Sequence, residues 1–113
     1  METISIENGE HYKWGGQCDG WHLLKRDDVS IIQEEVPPGC SEVNHYHKIS
    51  SQFFYLLEGA ASMYIDGEKI IINQGCGLFV PSGTPHMLKN EAVAPIKFLV
   101  ISFPKSHGDK YEV

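Results

Sequence analysis

Two histidines separated by one residue constrain this chain most. His45 and His47 lie in the stretch Gly39–Gly59, GCSEVNHYHKISSQFFYLLEG. On a β-strand alternate residues share a face, so both imidazoles project to one side, with Cα atoms about 6.5–7 Å apart. Two rings at that separation can converge on one metal ion at metal–nitrogen distances of about 2.1 Å. Gln52 follows beyond a polar break formed by Lys48, Ser50 and Ser51. A second stretch, GCGLFVPSGTPHMLKN over Gly75–Asn90, supplies His86.

Around these stretches the chain reads as many short strands. Thr3–Ile6 is a candidate first strand. Segment 11–21 (HYKWGGQCDGW) is rich in glycine and aromatics and reads as a loop with turns at Gly15-Gly16 and Asp19-Gly20, with Trp14, Trp21 and His22 capping one end of the core or, as the alternative, lining a pocket mouth or a subunit contact. Trp21–Leu24 and the β-branched run Val29–Val36 read as strands, the second broken by Pro37-Pro38-Gly39. Val43–His47 carries the histidine pair. Phe53–Leu57 is apolar on both faces, as for a strand held between two layers. Ser62–Ile65 and Lys69–Ile72 flank Asp66-Gly67, a tight-hairpin signal. Gly77–Val80 runs to Pro81, the Ser82–Pro85 loop delivers His86, and Pro95–Phe103 is the last long strand. The polar tail Pro104–Val113 reads as solvated, with Ser106–Asp109 able to fold over the end of a barrel. No segment has helical periodicity. Short strands with frequent turn signals indicate an all-β sandwich or barrel.

At 113 residues the chain has the length of one domain. Its formal net charge of −6 argues against nucleic-acid or anionic-membrane surfaces as partners. The lack of an export signal or a long apolar run sets a cytoplasmic location as the expectation. Cys18, Cys40 and Cys76 are odd in number and lack C-x-x-C spacing, which points to reduced thiols. His11 and His22 have no partner at ligand spacing and read as surface or satisfied core residues.

The two histidine stretches resemble the paired motifs of the cupin family. Gly39, His45, His47, position 52 and Gly59 meet the spacing of the first motif; Gly75, Pro81, Gly83, His86 and Asn90 meet that of the second. The glutamate usual at the fourth ligand position is Gln52 here. The resemblance implies a double-stranded β-helix, or jelly-roll barrel, as a single cupin domain over residues 1–113. It implies one divalent transition metal (zinc, nickel, iron or manganese) held by His45, His47, Gln52 and His86. Gln52 would act either through its amide oxygen or by holding a histidine in its tautomer. A carboxylate would cancel one unit of the ion's charge and an amide cancels none, so a bound water should be more acidic here.

Cupins span many activities, and fold alone does not choose among them. The first expectation is a metal-dependent enzyme acting on a small polar substrate such as a sugar acid or keto/enol compound. The three-His-plus-Gln set in so short a chain is similar to that of small cupins that linearise unsaturated uronates. The alternatives are a cupin dioxygenase and a non-catalytic small-molecule-binding domain. No catalytic residue is assigned; either Phe54 or Tyr55 would sit beside the metal, depending on the bend after Gln52. Met63, Tyr64, Phe79 and Met87 read as core. Strands apolar on both faces, and the resemblance itself, imply a homodimer.

Overall fold

The computed structural model describes residues 1–113 as eleven strands without a helix. In chain order these are β1 (Glu10–Trp14), β2 (Cys18–Lys25), β3 (Ser30–Val36), β4 (His45–Tyr46), β5 (Ser51–Glu58), β6 (Ala61–Ile65), β7 (Glu68–Ile72), β8 (Gly77–Val80), β9 (His86–Lys89), β10 (Ile96–Phe103) and β11 (Tyr111–Glu112). They form a six-stranded sheet, ordered β1-β2-β3-β10-β5-β8, and a five-stranded sheet, ordered β11-β4-β9-β6-β7. Every strand pair is antiparallel. This is the all-β jelly-roll arrangement of two packed sheets.

Alternation along β10 shows how the sequence builds the interior. Ile96, Phe98, Val100 and Ser102 are buried, while Lys97, Leu99 and Ile101 face the other way. Their partners across β3 and β5 repeat the phase, with Gln52, Phe54 and Leu56 inward on β5. Leu88 of β9, Met63 of β6 and Ile72 of β7 meet them from the opposite sheet in one apolar cluster. The interior is graded along the strands. At one end Val36 pairs with Ile96; at the other Ser30, Ser102 and Gln52 form a buried polar row across three strands.

The Asp66-Gly67 hairpin forms as read. Ile65 pairs with Glu68, and both turn residues have positive φ (51° and 77°), as a two-residue hairpin loop requires. Five expectations need correction. Thr3–Ile6 is not a strand; the first strand is Glu10–Trp14. Segment 11–21 is not a loop but most of a hairpin, in which Gly20 makes no turn. Gly20 is there for close approach, because a Cβ at this position would lie 2.3 Å from Cζ of Tyr12. The histidine pair rides on a strand of only two residues, with His47 just beyond it. The tail is exposed along most of its length, as read, but it is docked rather than free: β11 pairs with β4, and Asp109 is buried where the segment before it folds back on the barrel. Phe79 also leaves the core, being 51% exposed on the outer face of β8.

Candidate metal centre

The short β4–β9 pairing sets His45 directly opposite His86. His47 joins them, giving ring-centroid separations of 4.5 Å (His45–His86), 5.0 Å (His45–His47) and 5.8 Å (His47–His86). All three side chains are buried, and their ligand atoms lie within 4.8 Å of one another. Phe54, inward on β5, presents its ring edge-on to His86 at 6.0 Å, whereas Tyr55 points outward.

Each ring is pinned by one nitrogen. The Nδ1–H of His45 donates to the Val43 carbonyl at 2.7 Å, and that of His86 to the Thr84 carbonyl at 2.8 Å. These are the same local device, a carbonyl two residues back. His47 uses a distant one, donating Nδ1–H to the Asp109 carbonyl at 2.6 Å. A carbonyl only accepts, so each Nδ1 carries the proton and a neutral ring keeps its Nε2 lone pair free. Burial pulls the His45 pKa down to about 4 and lowers that of His86.

Among the residues expected to hold a metal, three buried acceptors lack a donor. Nε2 of His47 and Nε2 of His86 are buried without a hydrogen-bond partner. Gln52 donates Nε2–H to Ser102 Oγ at 3.0 Å, which leaves its buried Oε1 unpartnered. Lone pairs stranded in a protein interior are unfavourable unless a cation or water meets them. Neutral imidazole nitrogens and an amide oxygen suit a divalent transition ion, so the residues present fit the group.

Asp109 anchors the tail beside this cluster. Its carboxylate accepts the backbone N–H groups of Lys48 (3.1 Å), Ile49 (2.9 Å) and Ser50 (2.9 Å). Burial opposes that charge, but the three donors outweigh it and hold the carboxyl below its usual range. Ser50 Oγ–H donates to the Pro104 carbonyl at 2.6 Å, and Tyr111 stacks on Tyr46.

A cavity of about 660 Å³ opens against His47. Tyr12, His22, Ser30 and Ile32 wall one side; Lys105, His107 and Lys110 of the tail wall another. Tyr12 donates its O–H to Glu34, whose side chain lies inward on β3, at 3.4 Å. Burial pushes Glu34 up to about 8, the Glu42 charge adding to it, and pushes Glu42 up to about 7. His22 is therefore a cavity residue with its Nδ1 buried and unpartnered, and His107 is another. The signals for them were weak: His22 follows the aromatic segment 11–21, and His107 lies in the stretch Ser106–Asp109 read as able to fold over the end of a barrel. Glu34 also had one: a carboxylate in the apolar phase of Ser30, Ile32 and Val36. Cys18 is buried beside Cys40, its thiol pushed up to about 11 by burial and then by Cys40, while Cys76 is exposed.

The sequence matches the family model of the cupin domain over residues 32–102. It is 36% identical over 89 residues to an uncharacterised protein of Methanocaldococcus jannaschii, covering 78% of this chain and 71% of that one. It is 41% identical over 88 residues to quercetin 2,3-dioxygenase of Bacillus subtilis, covering 73% of this chain but only 26% of that enzyme. An RmlC-like cupin of Shewanella frigidimarina superposes with a TM-score of 0.83 at 19% identity, over 96% of this chain and 95% of that one, which speaks for the fold alone.

Proposed function

The chain belongs to the cupin domain family, and on that premise we propose that it is a metal-dependent enzyme acting on a small polar molecule, such as a sugar acid or keto/enol compound. In this reading His45, His47 and His86 hold one divalent ion (zinc, nickel, iron or manganese), with Gln52 as an oxygen ligand. One observation carries it: three rings whose Nδ1–H groups are committed to backbone carbonyls, gathered with their ligand atoms close together beside a cavity. A bound divalent ion supplies Lewis acidity toward a carbonyl or hydroxyl oxygen.

The chain's own groups do the rest. Phe54 packs against His86 and dries that side of the centre. Tyr12 at the cavity wall, backed by Glu34, is placed to hold or move a proton at its phenolic oxygen. The test is turnover: protein reconstituted in turn with each of the four metals is offered sugar acids and keto/enol compounds. Conversion by one metal form and none by chelator-treated protein supports the reading. Binding without conversion by any form contradicts it.

The likeness to the Bacillus dioxygenase favours a second reading, an oxygen-consuming enzyme on an enolic substrate. Conversion that stops without air and returns with iron would select it.

A homodimer is part of the proposal. The outer face of the six-stranded sheet carries Tyr55 and Leu57 of β5, Phe79 of β8 and Phe103 of β10, all more than a third exposed, with Phe79 stacked on Phe103 at 6.1 Å. A continuous aromatic and aliphatic face of this kind suits burial against a second copy.

A further inference from the structure

We infer that the cavity against His47 is an anion chamber: Lys110, His22 and His107 form a subsite for the carboxylate or other oxyanion of a small-molecule substrate. This rests on the reading of that cavity as the substrate chamber and narrows its substrate class.

Only two of the fourteen residues that line the cavity are hydrophobic. Four of its residues are cationic (Lys25, Arg26, Lys105, Lys110) and two are acidic (Glu10, Asp27), on a chain whose formal net charge is −6. Three of the cations are already neutralised locally. Lys25 pairs with Glu10 at 3.4 Å, Lys105 with Asp27 at 2.7 Å and Arg26 with Asp28 at 2.8 Å. Lys110 has no ion-pair partner within 4 Å, although its field reaches the buried Glu34 and Glu42. His22 contributes a buried Nδ1 with nothing to bond, and His107 lies close enough for its charge to act on His22.

Two segments distant in sequence, β2 and the tail, thus bring nitrogen groups to one hollow next to the histidine cluster. An acidic chain repels anions over most of its surface, so a pocket with one unneutralised ammonium focuses them there. An oxyanion held at Lys110 would leave the rest of a small molecule facing His47. A neutral sugar or apolar ring would leave the same donors unsatisfied, which is a physical basis for selecting acids over neutral analogues.

The test uses full-length chelator-treated protein, so that it does not depend on metal binding. The side-chain ¹⁵N signals of His22 and His107 are followed while acetate, inorganic phosphate, chloride or neutral acetamide is added at matched ionic strength. Saturable shifts with acetate or phosphate, none with acetamide, and affinity weakened about five-fold in Lys110→Gln are expected, the scale of one exposed charge interaction. Tighter acetate binding assigns a carboxylic acid, and tighter phosphate binding a phosphate ester. Shifts that chloride reproduces, no saturable shift with either oxyanion, or an unchanged affinity in Lys110→Gln would overturn the inference. Oxyanion binding in a protein that takes up no metal would leave this subsite standing and remove the metal reading alone.

Discussion

At the scale of single residues the proposed centre is most open to test at Gln52. Its amide gives one hydrogen to Ser102 and keeps a bare oxygen in the interior. With Gln52 as an oxygen ligand, as proposed, a glutamate in its place would add a full negative charge next to the cation. Gln52→Glu should therefore raise metal affinity by about tenfold or more, measured by competition with a chromophoric chelator. Unchanged or weaker affinity would remove Gln52 from the ligand set. Glu34 makes a second prediction. Its folded-state pKa of about 8 lies above the ordinary carboxylate value, so the folded chain holds a proton that the unfolded chain releases. The stability this brings is complete below about pH 4.5 and is lost as pH rises through about 8. Glu34→Gln cannot ionise and escapes that loss. In urea titrations of chelator-treated protein, its stability relative to wild type should grow between about pH 4.5 and pH 8 and level off above that. Parallel curves would mean that Glu34 is not desolvated as described.

Among elements, the tail is where sequence and structure part furthest. The strands at Phe53–Leu57 and Pro95–Phe103 were legible as apolar β-rich runs, but which face turns inward was not, because Leu99, Ile101, Tyr55 and Leu57 are apolar on the outward phase too. The Asp66-Gly67 turn was legible because its backbone geometry narrows the residues allowed. Residues 104–113 hold no such pattern. Their placement comes from one carboxylate meeting three backbone N–H groups about 60 residues away, a pairing that leaves no periodicity behind. The β1–β2 hairpin was obscured for another reason. Its glycines serve two purposes, a turn at Gly15-Gly16 and room for the Tyr12 ring at Gly20. Asp109→Ala should strip the Lys48–Ser50 amides of their acceptor. A stability loss of about 2 kcal/mol or more is expected by urea denaturation, with weaker metal binding as His47 loses its support. A loss within about 0.5 kcal/mol, with metal affinity intact, would show that the tail is not a structural part of the centre.

For the whole molecule, the histidine spacings exposed the jelly roll, while the cavity's cationic wall stayed hidden because its members come from β2 and the tail. The apolar outer sheet face predicts a particle of twice the 12.7 kDa chain mass by light scattering at micromolar concentration. Phe79→Asp combined with Tyr55→Asp should return it to monomer; a wild-type monomer would refute the dimer. The central claim is that the folded barrel brings His86 to His45 and His47 to hold one ion. Elemental analysis of desalted protein, beside His86→Ala and a urea-unfolded control, tests it most directly. The expected result is one transition-metal ion per wild-type chain and none in either control. A wild-type chain that retains no ion, or a His86→Ala chain that retains as much as wild type, would contradict it.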